Sequence, residues 1–199
     1  MELVILTMSE ANFPILIFSA PSGSGKTTIV RQLLADIPRL SFSVSATTRP
    51  PRGKEVNGVD YHFLQVDEFQ QKIQEDAFLE WEEVYPGRFY GTLISEVDRI
   101  RAEGQQPIFD LDVYGGVNLK RKFGTEACSF FIQPPSLEVL AMRLRGRGTD
   151  DEGAIEQRLA KAKEELSLTP DFDHVIINDN LEVAVEEVKQ LIGQVSFSE

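Results

Sequence analysis

Hydrophobic and polar positions in this chain follow two periods. Pro14-Ile15-Leu16-Ile17-Phe18-Ser19 is a continuous apolar run, which predicts a strand buried on both faces of a parallel sheet. From Lys26 the apolar residues Ile29, Val30, Leu33 and Leu34 recur at helical spacing, and Pro38 limits that helix. Phe42-Ser43-Val44-Ser45 predicts a second, short strand. From about 46 to 95 the composition turns to Arg, Tyr, Pro and Gly, with Asn57-Gly58 as a tight-turn signal before an extended stretch from Val59 to Leu64. Asp67 with Gln70 predicts a capping box for a short helix carrying Phe69 and Ile73 on one face. A helix over Leu93 to Ala102, stopped by Gly104, returns the chain to a βα alternation. That alternation continues with a strand at Ile108 to Val113, a helix at Tyr114 to Phe123 and a strand at Ala127 to Ile132. Ser136 caps a helix through Arg145, Gly146-Arg147-Gly148 interrupts it, and Thr149 with Glu152 forms a second capping box. The strand His174 to Asn178 follows. Leu181, Val185, Val188 and Ile192 make the apolar face of the closing helix. The pattern predicts an α/β fold, a parallel sheet flanked by helices, with a small, largely antiparallel lobe projecting from it.

Charge and cysteine usage narrow the partners. In 199 residues there are 32 acidic and 20 basic side chains, a net charge of −12. That field repels polyanions, so nucleic acid and anionic membranes are not expected partners and any phosphate site must be locally basic. The length suits one core, or one core with a small inserted subdomain. Cys128, the single cysteine, lies in an apolar run and reads as a buried small side chain, so no disulfide forms within the chain. Leu3 to Leu6 are too short for a signal-peptide core and follow Glu2. A cytoplasmic protein is expected, with residues 1–12 as a leader, free to be disordered, ahead of one domain from 13 to 199.

Candidate chemistry centres on Ala20-Pro21-Ser22-Gly23-Ser24-Gly25-Lys26-Thr27, set between the first strand and the first helix. Gly23 and Gly25 let successive backbone N–H groups turn inward around phosphates, which then sit on the N-terminus of the helix. Lys26 reaches the β/γ-phosphates and the Thr27 hydroxyl suits Mg²⁺. Ala20 stands where this pattern usually opens with Gly, which puts the first turn of the loop in question. A flexible serine/glycine linker is the competing reading. Arg49 and Arg52, three apart on a proline-stiffened loop, suit a second phosphate, or a solvated basic turn. Asp110 and Asp112, two apart on a strand, are expected to share a face where they arrange Mg²⁺ and water, or to serve as caps.

From residue 13 to 195 the sequence resembles the guanylate kinases. The resemblance is carried by the phosphate loop, Phe42-Ser43-Val44-Ser45-Ala46-Thr47-Thr48-Arg49, Arg52-Gly53-Lys54-Glu55-Val56-Asn57-Gly58-Val59-Asp60-Tyr61 and Phe78-Leu79-Glu80-Trp81. Tyr90-Gly91-Thr92, Asp110-Leu111-Asp112, Pro134-Pro135-Ser136, Gly146-Arg147-Gly148-Thr149 and Asn178-Asp179 follow in the family's order. It implies the P-loop nucleoside monophosphate kinase fold, with a core of 13–45 and 93–199, a GMP-binding lobe of about 46–92 and an arginine lid of about 146–153. It implies transfer of the γ-phosphoryl group of ATP to GMP with Mg²⁺. The GMP phosphate would meet Arg49, Arg52, Tyr61 and Tyr90, and Glu80 would accept from guanine N1–H and the 2-amino group. Ser45 and Thr92 would donate toward guanine O6, and Asp112 would support the base or the metal. On the ATP side stand Ala20 through Thr27, Arg143 and Asn178, with Lys26, Arg147 and Arg158 as catalytic groups and Thr27 on the metal. Arg143 and Arg158 also suit surface ion pairs, the two tyrosines suit lobe core, and Trp81 reads as lobe core. A non-catalytic binding module of the same shape and a kinase for another phosphorylated acceptor are the alternative functions. The resemblance implies GMP as the acceptor, with dGMP a further candidate, and implies no particular oligomeric state.

Overall fold

Pro14 leads into β1, the first element of a chain that runs β1 (Ile15–Ser19), α1 (Lys26–Asp36), β2 (Leu40–Phe42), β3 (Ala46–Thr47), β4 (His62–Phe63), α2 (Val66–Gln74), β5 (Phe78–Tyr85), β6 (Arg88–Leu93), α3 (Ile94–Ala102), β7 (Gln106–Leu111), α4 (Val113–Phe123), β8 (Ala127–Gln133), α5 (Leu137–Gly146), α6 (Glu152–Leu166), β9 (His174–Ile177) and α7 (Leu181–Val195). This computed structural model describes residues 13–146, 148 and 151–195. The leader at 1–12 and Arg147 of the expected lid, with Thr149 and Asp150, lie outside the described residues.

Two sheets are present among the described residues. In the larger, the order is β2-β7-β1-β8-β9 and every pairing is parallel. All five residues of β1 are buried, because alternate side chains enter different layers. Leu16 and Phe18 join Ile29, Leu33, Phe130, Val188 and Ile192 under α1 and α7, while Ile15 and Ile17 join Val97, Phe109 and Leu119 on the opposite face. Each such fully buried side chain contributes roughly 1.5–3 kcal/mol. The smaller sheet runs β4-β3-β6-β5, antiparallel except for the β3–β4 pair. It folds over Phe69, Phe78 and Phe89, with the Phe69 and Phe78 rings stacked at 4.3 Å.

Several local expectations are corrected. The stretch Phe42 to Ser45 is divided: Phe42 ends β2 in the larger sheet, and the chain changes sheets before β3 begins at Ala46. Val59 and Asp60 are not strand but part of a loop closed on itself, with Gly58 at φ 77° donating to the Tyr61 carbonyl at 2.8 Å. Helix α2 starts from Gln65 without a side-chain cap, so Asp67 lies inside its first turn and favours the helix dipole rather than capping it. Helix α6 is capped by Asp151, two residues past the expected cap in sequence, which accepts from the Ala154 N–H at 2.8 Å. Asp112 lies past the end of β7 and caps α4 by accepting from the Gly115 N–H at 2.8 Å, so it does not share a strand face with Asp110. Trp81 is 47% exposed on the outer side of the smaller sheet and is not lobe core. Cys128 is buried as expected, and burial pushes its thiol up to about 12. No helix among the described residues is long and apolar enough to cross a membrane.

Helix α4 presses directly on β1. A Cβ at Gly116 would lie 2.1 Å from the Ser19 Oγ, which donates to the Asp112 carbonyl at 3.0 Å. Gly116→Ala should therefore cost about 1–3 kcal/mol by overpacking, read by urea denaturation. Adding Ser19→Ala should restore part of that loss. Full wild-type stability of the single mutant would show that the two elements are not locked here.

Candidate functional site

The phosphate loop leaves β1 and enters α1 through two residues with left-handed backbone, Gly23 at φ 100° and Gly25 at φ 93°. A Cβ at Gly25 would come 2.2 Å from the Asn178 Nδ2, and one at Gly23 would come 2.9 Å from the Leu140 side chain. Ala20 needs no such freedom. Its φ is not positive, and its methyl is buried in the cluster of Phe18, Ile29 and Phe130. The question raised by Ala20 resolves as one of packing. The Ser24 N–H donates to Pro21, and α1 begins with no side-chain cap and no acidic residue in its first turn. Its positive end and unspent N–H donors face the cleft.

Lys26 is held at the end of β7, paired with the Asp110 carboxylate and donating to the Leu111 carbonyl. Thr27 Oγ1 donates to Asp110 Oδ2 at 3.0 Å. A hydroxyl and a carboxylate of this kind suit a small, hard divalent cation, which takes one or two protein oxygens and completes its shell with phosphate oxygens and water. No group of three or more His, Cys, Asp or Glu side chains among the described residues could hold an ion by itself.

Across a cleft of about 530 Å³ the loop faces the smaller sheet. Ser45, Tyr61, Glu80 and Tyr90 line that wall, with Asp112 and Arg158 at the margins. The Tyr61 and Tyr90 rings meet edge to face at 6.2 Å. Thr92 is fully buried and its hydroxyl donates to Glu80 Oε1 at 2.7 Å. Burial raises the Glu80 pKa, the Thr92 bond opposes this, and the carboxylates of Asp112 and Glu82 raise it further.

Arg49 and Arg52 do not line this cleft. The Arg49 guanidinium is buried, bidentate on Glu55 at 2.6 and 2.8 Å, and lies 4.7 Å over the Tyr61 ring. Glu55 also accepts from the Arg52 N–H at 2.7 Å. These two bonds bring its carboxyl down to about 2. The Arg52 side chain is exposed on the same loop. On the other side, Arg158 donates to Ser22 Oγ at 2.7 Å. Arg143 is turned away, donating to the Asn178 carbonyl at 2.8 Å, while Asn178 Nδ2 supports the loop through the Ser24 carbonyl at 2.7 Å.

Four cleft or loop residues were not singled out from the sequence. Glu82 is two along β5 from Glu80, so strand alternation puts both on the cleft face. Lys161 and Glu165 follow Arg158 on α6 at three and seven residues, the spacing of one helix face. Glu55, three residues after Arg52, lay within a quoted motif without an assigned task.

Comparison with known proteins covers both sequence and shape. The guanylate kinase family model matches residues 13–195. A guanylate kinase from Bacteroides fragilis is 55% identical over 183 residues, 90% of each chain. One from Salinibacter ruber is 49% identical over 180 residues, 90% of this chain and 95% of its own. The crystal structure of guanylate kinase from Anaplasma phagocytophilum, 27% identical, superposes with a TM-score of 0.74 over 96% of this chain and 90% of that one.

The loop's dependence on Gly25 is open to a direct test. Gly25→Ala forces a side chain into φ 93° and against Asn178. Calorimetric titration with ATP should show affinity reduced by at least about tenfold, a loss of roughly 1.4 kcal/mol. Gly25→Ala/Asn178→Ala should not recover it fully, since only the clash is removed. Wild-type affinity in the single mutant would mean that the loop does not need this backbone conformation.

Proposed function

This chain belongs to the guanylate kinase family, and we propose that it transfers the γ-phosphoryl group of ATP to GMP through the cleft between the phosphate loop and the smaller sheet. It is an ATP:GMP phosphotransferase by family, and its substrates are nucleotides. The observation that supports the site assignment is one cleft with two unlike walls. One carries the uncapped end of α1 with Lys26 and Thr27, and the other carries Glu80 beside paired tyrosines.

The γ-phosphate of ATP sits on the loop, its charge met by the Lys26 ammonium and the first N–H groups of α1, with Arg158 and the lid's Arg147 on its outer oxygens. Arg143 acts through Asn178, on the side where the adenine lies. GMP enters base first toward Glu80, whose carboxylate accepts from N1–H and the 2-amino group, two donors that adenine lacks there. Because Thr92 spends its hydroxyl proton on Glu80, it orients that carboxylate, and Ser45 is left to donate toward O6, with Asp112 beside the base. The GMP phosphate draws Arg49 and Arg52 toward Tyr61 and Tyr90. Its second pKa is about 6, so the attacking oxygen is mostly ionised at pH 7 and needs no general base. What the side chains supply is alignment and positive charge against the repulsion of two phosphates. Phosphoryl transfer in this family requires a divalent metal. We assign it as Mg²⁺ at Thr27, beside Asp110, where it would neutralise charge on the transferring phosphate.

We further assign 13–199 as one domain, with 46–92 swinging as the GMP lobe and 146–153 closing as the arginine lid, so that water is excluded when both nucleotides are bound. Turnover in the cytoplasm, within purine nucleotide metabolism and GMP recycling, and acceptance of dGMP alongside GMP complete the proposal.

A coupled ADP-release assay with GMP, dGMP, AMP, UMP and dTMP should give turnover with GMP far above AMP and the pyrimidines; no turnover with GMP sinks the proposal. Lys26→Ala should abolish transfer and leave GMP binding intact. Glu80→Gln should raise the KM for GMP by about ten- to a hundredfold, the loss of charged hydrogen bonds worth roughly 1.5–3 kcal/mol, with little change for ATP.

The same residue sets a pH dependence. The raised Glu80 pKa means the carboxylate protonates, and loses one acceptor, at a higher pH than an ordinary glutamate. The KM for GMP should therefore climb as pH falls through that raised value, and this limb should be missing in Glu80→Gln. A KM that stays flat down to the ordinary glutamate range would remove Glu80 from base recognition.

A further inference from the structure

The two crossings between the sheets meet at one carboxylate. In the first crossing, the Ser43 N–H donates to the Ile108 carbonyl of β7 at 3.0 Å, and the Ser45 carbonyl accepts from the His62 N–H of β4 at 2.9 Å. Ser43 is thus fixed to the larger sheet and Ser45 to the smaller, which leaves Val44 as the single residue between them. Its N–H donates to Glu96 Oε1 at 3.2 Å. Glu96 belongs to the second crossing: it stands in the first turn of α3, immediately after β6 ends at Leu93.

Glu96 is buried, and α3 is anchored on the core side through Val97, with Ile100 fully buried on the same helix. Arg99 holds the carboxylate from its own helix, with Nη2 at 2.8 Å from Oε1 and Nε at 3.3 Å from Oε2. The His62 Nε2 approaches Oε2 at 3.6 Å from the smaller sheet. One side chain therefore touches the core helix, the pivot residue of the other crossing, and the lobe. Arg99 and the Val44 N–H hold the Glu96 pKa below its ordinary value against the effect of burial, so the group stays charged.

The geometry points to Glu96 as the positioning residue of lobe closure, a fixed point about which Val44 turns while the lobe moves with His62. The inference rests on the closure reading proposed above. Glu96 lines no part of the nucleotide cleft. Its removal should leave the lobe's grip on GMP intact and misdirect the closed state. A buried charged acceptor lost without replacement also leaves the Val44 N–H unsatisfied.

The test uses the full chain with spin labels on cysteines introduced at exposed Glu75 of α2 and Glu187 of α7. Cys128 is buried and does not compete for label. In the wild type, GMP with a non-hydrolysable ATP analogue should shorten the label distance. Glu96→Ala should keep the Kd for GMP within about twofold, lower kcat by at least about tenfold and speed hydrogen exchange at the Val44 amide by a similar factor. Glu96→Gln keeps an oxygen for Val44 and nearly the same volume, so it should fold, protect the Val44 amide partly and fall between the two in kcat. A wild-type distance that ignores both nucleotides overturns the closure reading and the pivot with it. A wild type that closes, with Glu96→Ala or Glu96→Gln closing to the same distance at unchanged kcat and Val44 exchange, overturns the pivot alone.

Discussion

The N-terminus of α1 has a positive dipole end that no side chain among the described residues caps. Gly25 opens the helix with a left-handed turn that no side chain caps, and no acidic residue follows in the first turn. In the proposed function a phosphate supplies acceptors to the helix's first N–H donors, and the surrounding elements are placed to present them. Strand β1 is buried on both faces, so the loop leaves the sheet from a fixed point, and the neighbouring β7 sets Asp110 against Lys26 and Thr27. Asn178 arrives from the far side of the sheet, after β9, to hold the Ser24 carbonyl. Three parallel strands thus converge on one loop.

The opposite wall works by a different principle. Its side chains are held by one another before any ligand is present: Arg49 by Glu55, Glu80 by Thr92, Tyr61 by Arg49 and Tyr90. Charge that would be costly to bury alone is buried already paired. In the proposed function the ion pair between Arg49 and Glu55 is also a reserve, since a dianionic phosphate would compete with one carboxylate for the same planar fork. In a molecule with net charge −12, Arg49 is thus already held by a carboxylate of its own loop.

Much of this was legible in the sequence, and for reasons that can be named. The fully apolar run at Ile15 to Phe18, the glycines before Lys26 and the helical spacing from Ile29 each depend on local rules, and each element formed near its expected limits. What was not legible depended on contacts across the chain. Phe42 and Ser45 look like one strand because the sequence does not mark a change of sheet. Asp67 and Thr149 carry good capping signals in the sequence, but α2 starts from Gln65 and α6 is capped by Asp151. Ala20 seemed a departure because loop position was read as conformation, whereas its neighbours in the core decide the matter. Glu82 and Lys161 needed the two walls to be set facing each other before either acquired a meaning.

Trp81 began as an expected core residue and ended half exposed on β5, with its ring 6.2 Å from Phe89. It is the only indole in the chain, and it sits on the strand that carries Glu80, on the face turned away from the cleft. The protein therefore carries its own fluorophore on the smaller sheet, at a spot where solvent contact is partial and tunable. Emission from that ring gives an optical handle on the smaller sheet without any dye being attached.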